Sequence, residues 1–285
     1  MKKVFTIILV ASIILSQNIF AQNSSSLPAS GNDSLLLVYK TWDQFSIRFG
    51  GFLSSYNSDI TFGSKSVGLG LIIDLEDALG LETSSIILRG RANYRFGKTR
   101  RHAVGFGYFA INRRSTKVLD SALTIGQIIY PIGTEIKSRY DLTIFRVRYD
   151  YSFYQDDRIS IGVSAGLFIM PVKFTIQANG QQDHNTWFTV PLPLLGLRTD
   201  FKISNKFYLK QSVEILYLSF DFFTGSVLDL NIALEHNTFK HFGFGIGINS
   251  NRINITLKNQ DSAIKFFGDI RVDYTGVLLF AKYYF

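Results

Sequence analysis

The side chains with most chemistry to offer in this chain are charged, and they recur at every second position. Arg89, Arg91 and Arg95 share one parity, and Arg146, Arg148 and Asp150 repeat the pattern. In an extended strand that spacing puts each set on one face. Arg48, Arg198, Asp200, Lys202, Lys210, Glu214, Asp229, Glu235 and Lys282 fall on the matching face of their own segments. Basic groups outnumber carboxylates in this set. Enclosed together, they can do one of two things. They can pair across a narrow space and fill it, in which case removing one partner leaves a buried charge unpaired. Or they can ring an open path and favour anions. The residues leave both open.

Catalytic arrangements find less support. A hydrolase acting through a serine needs a histidine base within reach, commonly as His-x-Ser along one strand face. The chain has four histidines, His102, His184, His236 and His241, and none is followed two residues later by Ser. His184, in Asp183-His184-Asn185-Thr186, is the one placed in a long connection. There is no Cys, which excludes thiol chemistry, disulfides and cysteine-based zinc sites. Gly243, Gly245 and Gly247 do not lie between a strand and a helix, so they read as small residues on a strand face. Asp74, Glu76 and Asp77 lack the spacing of a calcium loop and read as a solvated outer loop with one helical turn. The expectation is no catalytic residue, no metal and no cofactor.

The elements that must position these charges are strands. From Phe45 onward the apolar residues recur with period two. Ile86, Leu88, Tyr94 and Phe96 alternate with the arginines of their segment, and Phe145, Val147, Tyr149, Tyr151 and Phe153 do the same in theirs. Leu228, Leu230, Ile232 and Leu234 form a third such face, and Phe242, Phe244, Ile246 and Ile248 a fourth. The apolar faces end in Tyr and Phe, as a membrane girdle requires. The expected fold is all-β: an antiparallel transmembrane barrel over residues 44–285. The passes are 44–56, 85–96, 102–113, 138–154, 158–176, 186–203, 206–220, 225–235, 240–257 and 270–285, which makes about ten strands. Eight or twelve also fit, and twelve would need Val67 to Leu75 to cross.

Tight connections at Gly97 to Arg101, Gln155 to Arg158, Ser204 to Lys206 and His236 to Lys240 belong on the periplasmic side. Asn57 to Thr83, Ser115 to Lys137, Gln177 to Asn185, Phe222 to Gly225 and Lys258 to Phe267 lie outside; the fourth of these is short for an outer loop. Pro191 and Pro193 point to an irregular stretch near the outer rim.

Met1-Lys2-Lys3, the apolar run Val4 to Leu15 and Ala21 have the parts of a signal peptide spanning 1–21. Residues 22–43 read as a flexible periplasmic segment, although Leu36 to Trp42 fits either a short helix or an extra strand. Without Lys2 and Lys3 the formal charge falls from +8 to +6. The remaining basic residues are scattered among strands, which argues against nucleic acid. The last segment, Tyr274 to Phe285, puts Thr275, Val277, Leu279, Ala281, Tyr283 and Phe285 on one face and closes on an aromatic residue.

On these features, namely the Lys2-Lys3 leader, the alternating passes, the aromatic belt and the terminal Phe285, the chain resembles the Gram-negative outer-membrane β-barrel proteins. Ile73 to Leu81 and Tyr149 to Ile161 look like segments of poorly characterised members without assigned activity. The resemblance implies residence in the bacterial outer membrane. It implies two partners, outer-membrane lipid and the assembly machinery that reads the terminal aromatic. It brings no catalytic residue. The expected role is a monomeric barrel with a charged, filled lumen and a structural or surface-contact function. A narrow anion-preferring pore is the alternative, and a surface hydrolase of lipid or peptide the third.

Overall fold

In the computed structural model, residues 41–64, 68–125, 128–178, 183–258 and 267–285 are described. The expected signal peptide, the leader up to residue 40 and parts of four outer connections (65–67, 126–127, 179–182 and 259–266) lie outside them. The strands are β1 (Phe45–Ser64), β2 (Gly68–Asp74), β3 (Ser84–Phe96), β4 (His102–Val118), β5 (Leu123–Ile125), β6 (Ile128–Tyr130), β7 (Glu135–Gln155), β8 (Ile159–Ala178), β9 (His184–Lys202), β10 (Phe207–Ser219), β11 (Phe223–His236), β12 (Phe242–Leu257) and β13 (Gly268–Tyr284).

All sequential neighbours of the main sheet pair antiparallel, and β1 pairs with β13 from Ser46↔Tyr284 to Phe62↔Gly268. That closes ten strands into a barrel and leaves no edge where it crosses lipid. β2 does not cross. It pairs with the outer part of β1, on the side that β3 occupies lower down. The strand-like stretch near Val67 is therefore an outer hairpin, and the twelve-strand count falls.

The tight periplasmic turns are built as expected. Gly97 and Arg100 take positive φ in the first, where glycine carries no Cβ penalty. In the second, Asp156 Oδ1 accepts from the backbone N–H groups of Arg158 and Ile159 at 2.7 and 2.6 Å. The outer β10–β11 connection is a tight hairpin as well, closed by Phe220 N–H on Phe223 O at 2.7 Å.

Three outer features differ from expectation. β1, β4 and β7 extend into the residues assigned to outer connections, because strand pairing continues above the lipid. Residues 75–83 are not a solvated loop: Leu75, Leu79 and Leu81 are buried in the core. They lie where β4 has no pairing with β3 beyond Arg89↔Phe109. The Pro191–Pro193 stretch is regular, pairing with Ile169 and Leu167. β9 has no β10 partner above Leu195, so this edge tolerates residues without an N–H.

The barrel has two halves of opposite polarity. In the periplasmic half, apolar side chains face out, among them Ile47, Phe49, Tyr94, Phe106, Tyr149, Leu197, Phe244, Ile246 and Leu279. In the outer half the same faces turn polar, at Asn57 and Asp59 on β1, Asn112 and Arg114 on β4, and Asp273 and Arg271 on β13. The inward residues switch in step. Phe52, Ile60, Phe109, Ile111, Tyr140, Leu142, Phe168, Met170, Phe174, Val190, Leu192, Ile253 and Val272 make one buried apolar cluster.

Candidate functional site

Each charge assigned to the interior stands on an inward strand face, because strand parity carries through every pairing. The site is the periplasmic half of the lumen, and its carboxylates are shared among several cations. Glu235, on β11, has no exposure; it meets Arg48 Nε at 2.8 Å, Lys282 Nζ at 3.0 Å and Lys210 Nζ at 3.1 Å. Asp200 takes Arg95 at 2.8 Å and Arg198 at 3.0 Å. Glu214 takes Arg146 and, at 3.1 Å, Arg148. Arg148 also reaches Asp150 at 2.9 Å, and Arg146 reaches Asp229 at 3.3 Å.

Neutral groups extend the network. Asn249 donates to Asp229 at 2.6 Å and accepts from Arg89 at 2.7 Å. Arg91 donates to Asn231 at 3.4 Å, and Arg198 donates to Ser152 at 2.9 Å. Lys202 sits half-buried at the periplasmic end of β9. Where basic groups exceed carboxylates, aromatic faces take part of the charge. The Arg89 guanidinium lies 5.4 Å from the Phe52 ring and 4.6 Å from that of Phe109. Arg146 lies 5.3 Å from Phe168. These rings are the floor of the apolar outer core.

Glycines make this packing possible. A Cβ on Gly245 would enter the ring of Phe280, and one on Gly107 would touch Arg146 and Arg91. The small residues on β4 and β12 thus leave room for large side chains from other strands.

Two contributions had no signal in the sequence. Thr41 to Asp43, at the end of the N-terminal segment, seat in the periplasmic mouth. Trp42 is buried, donates to Asp156 O at 2.8 Å and lies under the Arg95 guanidinium at 5.5 Å. Asp43 meets Lys282 at 2.5 Å. The second is a polar island in the outer core: Arg113, fully buried, pairs with Glu76, donates to Ser58 Oγ at 2.9 Å and lies between the rings of Tyr56 and Tyr140. Glu76 is therefore an internal counter-ion. Below lies a cavity of about 70 Å³ bordered by Trp42, Arg48, Arg91, Arg95, Arg146 and Lys210. That suits a few water molecules.

For hydrolysis, His184 is the residue to examine. Its ring packs on Phe62 at 4.7 Å, and its Nε2 meets Thr186 Oγ1 at 3.0 Å. Burial lowers its pKa below the usual value. Among the described residues, no serine and no carboxylate meets this ring in the manner of a triad. His102 meets Tyr149 OH, His236 meets Thr238 and His241 meets Tyr284 O, all at the periplasmic rim. Among the described residues no group of acidic and histidine side chains is arranged to hold a metal.

A closed antiparallel barrel with an apolar belt and a polar interior is an outer-membrane β-barrel, and the bacterial outer membrane is its place. One solved structure agrees on the fold at a TM-score above 0.5. The outer membrane protease OmpT of Escherichia coli superposes with a TM-score of 0.56 at 10% identity, over 85% of this chain and 96% of that one. The transport unit of the autotransporter AIDA-I of Escherichia coli gives 0.43 at 8% identity, over 95% and 97%. Ail of Yersinia pestis gives 0.35 at 12%, over 86% and 100%. No family model and no curated protein matches the chain.

Proposed function

We propose that this chain is a closed, non-conducting outer-membrane barrel that carries a rigid collar above the membrane for surface contact. The observation behind the reading is the apolar core of the outer half. Phe52 and Phe109 each meet Tyr274 edge to face, at 6.2 and 5.8 Å, inside the wall formed by β13, β1, β3 and β4, and Phe168, Met170, Val190 and Leu192 are buried in the same core. An ion would have to cross this layer without water, which a conducting path does not allow. The shared carboxylates below favour a packed lumen over an anion filter. The collar itself is polar outside and apolar inside, as a soluble barrel would be.

The test is conductance of the folded protein in a planar bilayer, with an anion/cation reversal potential. The expected result is a silent membrane with folded protein inserted. Steady anion-selective openings would replace this reading with the pore.

A further inference from the structure

On the outer wall of the collar, four basic side chains stand together. Arg114 is on β4, Lys137 and Arg139 are on β7, and Lys173 is on β8; all four are exposed and face away from the barrel axis. Strand register brings them side by side. Arg114 lies directly opposite Arg139, Lys137 opposite Thr116, and Lys173 opposite Asp141. The four border one cleft of about 630 Å³.

Like charges opposite one another across a strand pair oppose folding. Here one neighbouring carboxylate, Asp141, answers Arg139 at 2.6 Å. The far wall is built differently. There Arg252 pairs with Asp273 at 3.0 Å and Arg271 with Asp59 at 3.8 Å, so the charges cancel. The collar is thus polarised, with its basic excess on β4, β7 and β8.

The height of the patch says what it meets. Ile169 and Pro171 continue the apolar outer face of β8, and Lys173 is the next outward residue. Trp187, on β9, is 72% exposed and sits in register with Lys173. An exposed Trp beside a Lys with a long apolar stem marks the level where hydrocarbon gives way to head groups. A surface that faces sideways at that level looks into the neighbouring lipids. Arginine and lysine pairs there suit phosphate, which accepts bidentate hydrogen bonds.

From this juxtaposition we infer that the β4–β7–β8 wall binds a phosphorylated glycolipid of the outer leaflet. Its phosphates sit between Arg114, Arg139 and Lys173, and its sugar ring lies against Trp187. The ligand removes the repulsion between Arg114 and Arg139.

The experiment uses the folded full-length barrel in non-ionic detergent, titrated with bisphosphorylated lipid A. The readout is tryptophan emission, since Trp187 is one of two tryptophans and the other, Trp42, lies in the lumen mouth. The expected result is a saturable change that weakens with salt and is absent in Trp187→Tyr. Arg139→Gln with Lys173→Gln should lower the affinity about tenfold or more, given the typical contribution of each basic group near an anionic surface. Arg252→Gln on the far wall should leave it unchanged.

Should the double variant not fold, as judged by the mobility of unheated and heated protein in gels, Arg114→Gln with Lys137→Gln replaces it. The inference is overturned if dephosphorylated lipid A binds equally, if the basic-patch variants bind as the unaltered protein does, or if inorganic phosphate alone produces the same change. The last result would make the patch a free-anion site.

Discussion

Replacing Glu235 by Ala removes the carboxylate on which three cations converge. Two of the three lose the carboxylate they pair with, Arg48 at 2.8 Å and Lys210 at 3.1 Å. The third, Lys282, keeps Asp43 at 2.5 Å and is not orphaned. Removing one partner of a buried pair costs about 3–5 kcal/mol, chiefly because the other charge stays buried. The side chains of Arg48 and Lys210 are 18% and 15% exposed, so cavity water can approach them. The expected loss is therefore at the lower end, about 3 kcal/mol. Glu235→Gln keeps the shape and one acceptor and should lose somewhat less. Changing Glu235, Arg48 and Lys210 together to Leu, Leu and Met should recover most of the loss, since apolar replacement of a whole buried cluster is often neutral. The assay is urea unfolding in lipid vesicles, followed by tryptophan fluorescence. A folded Glu235→Ala barrel within about 1 kcal/mol of the parent would refute the reasoning, because water would then be compensating the cations as well as the carboxylate does.

Arg113→Ala strands Glu76 in the outer core and should destabilise by about 3–5 kcal/mol in the same assay. Gly196→Ala places a Cβ 2.5 Å from Glu214 Cγ and 2.5 Å from Val213 O. A loss of about 1–3 kcal/mol, typical of overpacking, should accompany the displacement of Glu214 from Arg146. His184 has its pKa lowered by burial, so the unfolded chain binds the proton more readily. Its contribution is complete above the unfolded value near 6.5 and is lost as pH falls below it. The protection of backbone amides at the outer ends of β8 and β9, corrected for the pH dependence of intrinsic exchange, should fall between about pH 7 and pH 5, and His184→Phe should remove that part of the dependence.

The membrane half was legible because its pattern is local. Two-residue periodicity needs no partner to be seen, and it shows the ten passes. The outer half was harder because the lipid criterion ends a strand where its outward face turns polar. β1 was ended at Tyr56, yet it runs to Ser64, and at Ser58 and Ile60 the alternation simply changes sides. The Glu76–Arg113 pair had no signal at all, since its partners are distant in sequence and Glu76 sits among residues that look like a solvated turn. Likewise nothing local announces that Trp42 will fill the mouth. Its burial depends on Arg95 from β3, Asp156 from the β7–β8 turn and Tyr208 from β10.

The two halves follow from one rule applied in two solvents. In lipid the apolar faces must point out, and the charges left inside need partners; in water the same strands gain by turning their apolar faces inward. One consequence separates stability from closure. In the closed barrel proposed above, the ion-pair layer holds the lower barrel together and the apolar core above it is the seal. Glu235→Ala should therefore weaken the barrel and still leave it silent in a planar bilayer. Steady conductance from that variant would place the seal in the ion pairs instead, and the outer core would then be packing around a gate that lies below it.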